Sequence, residues 1–111
     1  MARALHIVLV SAVTHALAQT ALAEAPIFSI TIKDHRFSPE SIEIPADTKV
    51  KLDVSNEDLT PEEFESYELN REKVIPGNGK VSIFIGPLAP GEYPFVGEFN
   101  SATALGKIVV K

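Results

Sequence analysis

Acidic side chains are the residues of this sequence most suited to chemistry. The segment from Glu57 to Glu72 contains a single base, Arg71, beside the carboxylates Glu57, Asp58, Glu62, Glu63, Glu65, Glu68 and Glu72. In a β-strand, Glu63 and Glu65 would share one side and Phe64 would face the other. Carboxylates are hard ligands that suit iron, manganese, calcium or Cu(II). The segment is therefore a candidate metal site, and a solvated acidic face is the alternative.

Two residues outside this segment are further candidates. Glu98 follows the strand-like run that ends at Gly97. Folded against Glu62 or Glu63, it would complete a carboxylate cluster, and clustered like charges are costly unless a cation neutralises them. His35 is the only histidine after residue 23 and offers an imidazole nitrogen to a metal, with a surface histidine as the alternative.

The first 23 residues predict a secretory signal peptide. Arg3 precedes a mostly apolar run that continues to Ala18, and small residues lead up to Ala23. Cleavage is expected between Ala23 and Glu24, with a cut after Ala18 as the alternative. Residues 24–111 then form one small domain, which we expect in the periplasm.

Charge and composition exclude several classes of function. All 15 acidic residues lie after residue 23, whereas Arg3 is the one basic residue of 10 that precedes it, so residues 24–111 carry a charge of −6. Nucleic acid and anionic membrane surfaces are therefore not expected partners. The chain has no cysteine and no glycine-rich phosphate loop, and a single histidine cannot serve every role of a catalytic triad. These residues predict no enzymatic activity of their own; an accessory role in the oxidation of a bound metal is the alternative.

The apolar residues alternate with polar ones in short runs, which is typical of half-buried strands. The clearest alternating positions are Phe28, Ile30 and Ile32; Ile42 and Ile44; Val50, Leu52 and Val54; and Val81, Ile83 and Ile85. Proline and glycine separate the runs, and Thr60 to Tyr67 is the one stretch that predicts a helical turn. About seven strands in a domain of this size predict a two-sheet antiparallel sandwich.

The C-terminal part resembles that of a cupredoxin, a small copper-binding β-sandwich. Tyr93 and Phe95 match the family's Tyr-x-Phe strand, and Gly106 begins its final valine-rich strand. With these residues matched, the family's copper-ligating cysteine corresponds to Gly97 and its C-terminal histidine to Asn100. The runs Phe37–Pro39, Ile42–Pro45 and Val50–Asn56 are similar to the cupredoxin N-terminal half. The resemblance implies a cupredoxin-like Greek-key β-sandwich of about seven strands.

Other stretches are similar to the cupredoxin-like domains of bacterial periplasmic iron-uptake systems. These stretches are Glu63–Ser66 with Leu69, Glu72–Val74, Pro76-Gly77 and Gly86–Leu88. The resemblance implies a role in ferrous-iron uptake, with a periplasmic iron-binding protein and an inner-membrane iron permease complex as partners. Glu62 or Glu63 takes the position of the first copper histidine, depending on the frame. The implied metal ligands are Glu62, Glu63, Glu65, Glu98 and His35.

Ligand chemistry limits which metal such a site holds. Blue copper needs a cysteine thiolate and two imidazoles, and residues 24–111 have no cysteine, one histidine and no methionine. Carboxylates and a single imidazole suit iron, manganese, calcium or Cu(II). Among these metals the resemblance implies iron, with a non-blue copper site as the alternative. A metal-free cupredoxin fold that docks a basic partner through its acidic face is the alternative from another class of function.

Overall fold

Residues 24–111, the part of the chain that the computed structural model describes, form two packed β-sheets. The predicted signal peptide, residues 1–23, lies outside the described residues. One sheet has the strand order β2-β1-β4-β7 and the other β3-β9-β8-β5-β6. The strands are β1 (Ile27–Lys33), β2 (Arg36–Ser38), β3 (Ser41–Ile44), β4 (Val50–Asn56), β5 (Glu62–Ser66), β6 (Arg71–Ile75), β7 (Lys80–Ile85), β8 (Gly91–Gly97) and β9 (Leu105–Val110).

Each sheet buries one face because its strands alternate apolar and polar residues. In β4, the side chains of Val50, Leu52 and Val54 are fully buried, whereas the intervening residues are half-buried. β4 lies parallel to β1 and antiparallel to β7, and β9 lies parallel to β3 and antiparallel to β8. The all-β, two-sheet sandwich predicted from the sequence is thus confirmed. The prediction that it is antiparallel throughout is wrong, because each sheet contains one parallel pair of strands.

Three phenylalanine rings join the two sheets at the centre of the core. Phe37 lies on β2, in the four-stranded sheet, and its ring meets the edge of the Phe95 ring at a centroid distance of 4.9 Å. Phe64 and Phe95, on neighbouring strands of the other sheet, stack at 4.8 Å. Aromatic pairs with this geometry contribute beyond the burial of their area. This cluster lies directly beneath β5, the strand that carries most of the candidate site.

Two details of the predicted secondary structure are wrong. Residues 24–111 contain nine strands, where about seven were predicted, and Thr60 to Tyr67 contains strand β5, where a helical turn was predicted. The burial of Phe64 and the pairing of β5 with strands on both sides decide the extended conformation. The helical content of the described residues is one 3-10 turn, Glu98–Asn100. None of the described residues belongs to a helix long and apolar enough to span a membrane.

We expect the replacement of Phe95 by alanine to lower the free energy of unfolding by about 3 to 5 kcal/mol, because it empties the centre of the core. Urea denaturation measures this loss. Phe99, which is 52% exposed, provides the matched control, and Phe99→Ala should change stability by no more than roughly 0.5 kcal/mol. Equal losses in the two variants would contradict the central place of the Phe95 ring.

Candidate functional site

Strand β5 separates the candidate glutamates onto two faces of its sheet. Glu62, Phe64 and Ser66 face the interior, and Glu63 and Glu65 lie on the outer face. The side chain of Glu62 is 1% exposed, a rare state for a carboxylate. The sequence left open whether Glu62 or Glu63 takes the position of the first copper histidine. In the alternation of β5, Glu62 is the one that faces the interior.

The buried carboxylate of Glu62 accepts three hydrogen bonds from N–H groups. Its Oε1 accepts from the backbone N–H of Phe99 at 2.8 Å and from that of Glu63 at 3.0 Å. Its Oε2 accepts from Nδ2 of Asn100 at 2.7 Å. Hydrogen bonds of this kind compensate for the desolvation of a buried charge. They also join β5 to the 3-10 turn that follows β8.

The interior space beside Glu62 is filled by protein atoms. Gly97 lies next to the Glu62 carboxylate, and its N–H donates to the carbonyl of Ala104 at 2.8 Å. A Cβ atom placed on Gly97 would lie 2.7 Å from Cδ of Glu62 and 2.6 Å from Cβ of Ala104. Real Cβ atoms do not approach other atoms so closely, because packed interiors leave no such overlap. This position therefore excludes a side chain larger than that of glycine unless its neighbours move.

Four carboxyl groups meet on the outer face, and we call Glu63, Glu65, Glu72 and Glu98 the carboxylate cluster. Glu72 on β6 lies opposite Glu65 in the strand register, and Glu98 begins the 3-10 turn. A hydrogen bond with the Glu72 carboxyl, loss of hydration and nearby negative charges raise the pKa of Glu63 to about 7. A hydrogen bond with the Glu98 carboxyl, together with its charge, raises the pKa of Glu65. The cluster thus consists of two pairs that share protons.

The structure does not join His35 to the carboxylate cluster. His35 lies in the turn between β1 and β2, where Asp34 and His35 both have positive φ angles. The Asp58 carboxylate accepts the N–H groups of Asp34 and His35 at 2.8 and 3.0 Å, and these bonds lower the pKa of Asp58. The hydroxyl of Thr103 donates to the carbonyl of His35 at 2.6 Å. The backbone of His35 thus connects its turn to the loops that carry Asp58 and Thr103. Across residues 24–111, the side chain of His35 makes no ion pair or hydrogen bond with a glutamate.

The predicted site residues thus fall into three places: Glu62 is inside, Glu63, Glu65 and Glu98 are on the outer face, and His35 is in a turn. Within the described part of the chain, no group of three or more His, Asp or Glu side chains is arranged to hold a metal ion. The sequence prediction placed Glu72 in the acidic segment but left it out of the implied metal ligands. A prediction of the β5–β6 hairpin would have found it, because the register of that hairpin pairs Glu65 with Glu72.

Sequence comparisons relate the chain to one domain family. A sequence model of the cupredoxin-like domain matches residues 4–110. An uncharacterized protein of Rickettsia prowazekii (strain Madrid E) is 47% identical over 81 residues, which are 73% of this chain and 65% of that protein. The chain thus spans slightly less than two thirds of the length of this relative.

Solved structures show the same fold at low sequence identity. Auracyanin A, a blue copper protein from Chloroflexus aurantiacus, has a TM-score of 0.65 at 12% identity, over 77% of this chain and 98% of its own. The metal-binding domain of the Cu(I)-exporting P-type ATPase of Streptococcus pneumoniae, solved with Cu(I), has a TM-score of 0.65 at 14% identity, over 77% of this chain and 84% of its own. A purple cupredoxin from Nitrosopumilus maritimus has a TM-score of 0.57 at 19% identity, over 75% of this chain and 98% of its own.

Replacement of Glu62 by alanine is expected to lower the free energy of unfolding by about 3 kcal/mol, because it leaves three N–H donors without their buried acceptor. Thermal and urea unfolding measure this loss. Glu68→Ala, an exposed glutamate on the loop after β5, is the control and should change stability by no more than roughly 0.5 kcal/mol. A Glu62→Ala variant as stable as the control would show that the three hydrogen bonds contribute nothing.

The raised pKa of Glu63 predicts a pH dependence of stability. Between about pH 4.5, its ordinary pKa, and about pH 7, the folded chain holds a proton that the unfolded chain has lost. The free energy of unfolding should therefore fall as pH rises through this window. Glu63→Gln should make the fall smaller, whereas Glu40→Gln, outside the cluster, should leave it unchanged. Urea denaturation at a series of pH values measures the free energy of unfolding. If its pH dependence is the same in the unmodified protein, Glu63→Gln and Glu40→Gln, the pKa of Glu63 is not raised by the cluster.

Proposed function

The chain belongs to the cupredoxin-like domain family, and from this premise we propose that it takes part in ferrous-iron uptake and handles iron at its outer carboxylate cluster. The proposed event is binding and transfer of the iron, with any oxidation left to a partner that takes the electron. The observation that carries the proposal is the placement of Glu63, Glu65, Glu72 and Glu98 together on one outer face. Their proximity raises the pKa of Glu63 and of Glu65.

Copper, which several members of this fold bind, does not fit the residues inside the sandwich. Gly97 has no side chain to offer, and the chain has no cysteine to supply a thiolate. Both oxygens of Glu62 accept hydrogen bonds, and the Asn100 amide points its Nδ2 at one of them. These interior residues therefore cannot supply the thiolate and two imidazoles that bind copper in a blue-copper site. We infer that the Glu62 hydrogen bonds occupy the place that a copper centre takes in the copper-binding members.

The carboxylate cluster has the chemistry that a hard divalent cation prefers. Four carboxyl groups from β5, β6 and the 3-10 turn supply oxygen ligands, and their mutual repulsion keeps two of them protonated at a higher pH than usual. A cation that replaces the shared protons relieves this repulsion. The carboxyl groups stand as two pairs, so binding requires rotation of exposed side chains to bring both pairs to one ion. His35 lies in a separate turn and is the least supported of the proposed ligands.

Delivery to a partner suits a site of this kind. Exposed carboxylates have no surrounding shell of protein groups to fix them, so they exchange a bound ion readily. We propose that the mature chain, residues 24–111 after removal of a signal peptide, works in the periplasm beside an iron-binding protein and an inner-membrane iron permease complex. The support is the sequence resemblance to the domains of such systems.

The second candidate function is that of a metal-free interaction module that docks a basic partner. The observation in its favour is the closed interior around Glu62 together with the lack of any ready set of three metal ligands in residues 24–111. Ionic strength separates the two functions. Docking between exposed charges weakens steeply with added salt, whereas direct coordination of a metal is less sensitive.

We expect the mature chain to bind Mn²⁺, a redox-stable substitute for Fe²⁺, and to bind it more tightly as pH rises through about 7, because the paired carboxyl groups must lose their protons. Glu63→Gln combined with Glu98→Gln should weaken binding by roughly tenfold or more, since both changes remove charged ligands. Calorimetry with Mn²⁺ and anaerobic Fe²⁺ measures both effects.

The control for this experiment is Glu40→Gln combined with Glu43→Gln, which removes the same charge from the other end of the five-stranded sheet. This variant should bind Mn²⁺ as the unmodified protein does. Cu²⁺ added to any of these proteins should give no intense blue absorption. If both double variants bind Mn²⁺ as tightly as the unmodified protein, the carboxylate cluster is not an iron site. The interaction module is then the function that is left.

A further inference from the structure

Tyr67 stands almost fully in solvent beside the carboxylate cluster. It begins the loop between β5 and β6, and its side chain is 94% exposed. Its backbone is fixed, because the carbonyl of Tyr67 accepts the N–H of Asn70 at 3.1 Å. A tyrosine in this position presents a large rigid surface at a small cost in side-chain entropy.

Two shallow grooves lie on either side of Tyr67, with volumes of about 490 Å³ and 280 Å³. Glu65 and Glu72 line the larger groove, and Glu68 and Glu98 line the smaller one. The smaller groove also contains the apolar side chains of Pro94 and Val96. The ring therefore stands between two walls of carboxylates, with apolar surface at its base. We call Tyr67 and its two grooves the Tyr67 surface.

Within the described part of the chain, no base forms an ion pair with these carboxylates. Arg71 lines the larger groove beside Glu65 and Glu72, and it directs Nε to the carbonyl of Phe84 at 2.9 Å and Nη1 to the carbonyl of Asn70 at 2.9 Å. The ion pairs in residues 24–111 involve other acidic residues, namely Asp53, Glu92 and Glu43. The Tyr67 surface holds four carboxyl groups against the one guanidinium of Arg71. This excess of acidic groups attracts a positively charged partner and orients its approach.

We propose that the Tyr67 surface is a docking site for a partner protein and that it receives an arginine-bearing segment of that partner. A guanidinium stacks on the face of Tyr67 and donates N–H groups to the carboxylates on either side. The methylene groups of the arginine pack against Pro94 and Val96. Lysine fits this surface less well because its compact ammonium neither stacks as a plane nor donates in a fork.

The inference rests on the proposed function in one respect: the docked protein is taken to be the protein that exchanges iron with this chain. The contact itself needs no iron. Glu65, Glu72 and Glu98 belong both to this surface and to the carboxylate cluster, whereas Tyr67 and Glu68 belong to the surface alone. Variants of these two residues therefore test docking separately from metal binding.

The experiment titrates the ¹⁵N-labelled mature chain at low salt with three Gly/Ser peptides that carry arginine, lysine or glutamate at the same positions. The arginine peptide is expected to shift the amide signals of Tyr67, Glu68 and Val96 and to bind more tightly than the lysine peptide. The glutamate peptide should shift none of them. Tyr67→Ala should weaken arginine-peptide binding about fivefold, and Glu68→Gln should weaken it as well.

The matched control is Phe84→Ala, which removes a half-exposed aromatic ring from the other sheet, where Lys49 lies over it. This variant should bind the arginine peptide as the unmodified protein does. Equal affinity for the arginine and lysine peptides, or no effect of Tyr67→Ala, would reduce the interaction to general charge attraction and overturn the proposal. Tyr67→Ala should leave Mn²⁺ affinity unchanged, because Tyr67 is not part of the carboxylate cluster. If the unmodified chain binds the arginine peptide but no Mn²⁺, the iron site is ruled out and the docking surface is retained.

Discussion

The hydrogen bonds of one buried carboxylate hold the functional end of this domain together. Glu62, the first residue of β5, projects into the interior. It accepts N–H groups from Glu63, Phe99 and Asn100. A charge at this depth is tolerated only because each oxygen has a donor. The 3-10 turn is thereby fixed against β5, and with it Glu98, whose carboxyl pairs with that of Glu65. The interior bond thus determines where an exterior side chain lies.

The period of the strand explains how one short segment serves two purposes. Because successive side chains of β5 point to opposite faces, Glu62 closes the interior while Glu63 and Glu65 remain outside. The stacked rings of Phe64 and Phe95 hold this register, since a shift by one residue would bury Glu63 and expose Phe64. The aromatic core and the placement of the charges are therefore a single constraint.

The sequence predicted the sandwich because strands such as β4 alternate cleanly between apolar and polar residues. It also brought Glu63, Glu65 and Glu98 into one hypothesis, and the structure places all three on the outer face. It failed at β6, where the exposed edge residues Arg71 to Val74 show no apolar alternation. Glu72 was missed for this reason. His35 was grouped with the glutamates by resemblance alone, since no local pattern reports where a turn lies relative to another strand.

A filled interior leaves the outer face of β5 as the part of this end that a ligand can reach. An ion enclosed inside a protein is little screened by water, and packed ligands hold it in a fixed geometry. Here Glu72 and Glu98 are exposed and Glu63 and Glu65 are half-buried, so water partly screens their charges and the exposed side chains move more freely. A cation held at such a face is bound by charge density more than by fixed geometry, and it can pass to a stronger site that comes into contact. The exposed ring of Tyr67 beside the same carboxylates gives that contact a defined place, so that in the proposed function binding and delivery share one surface.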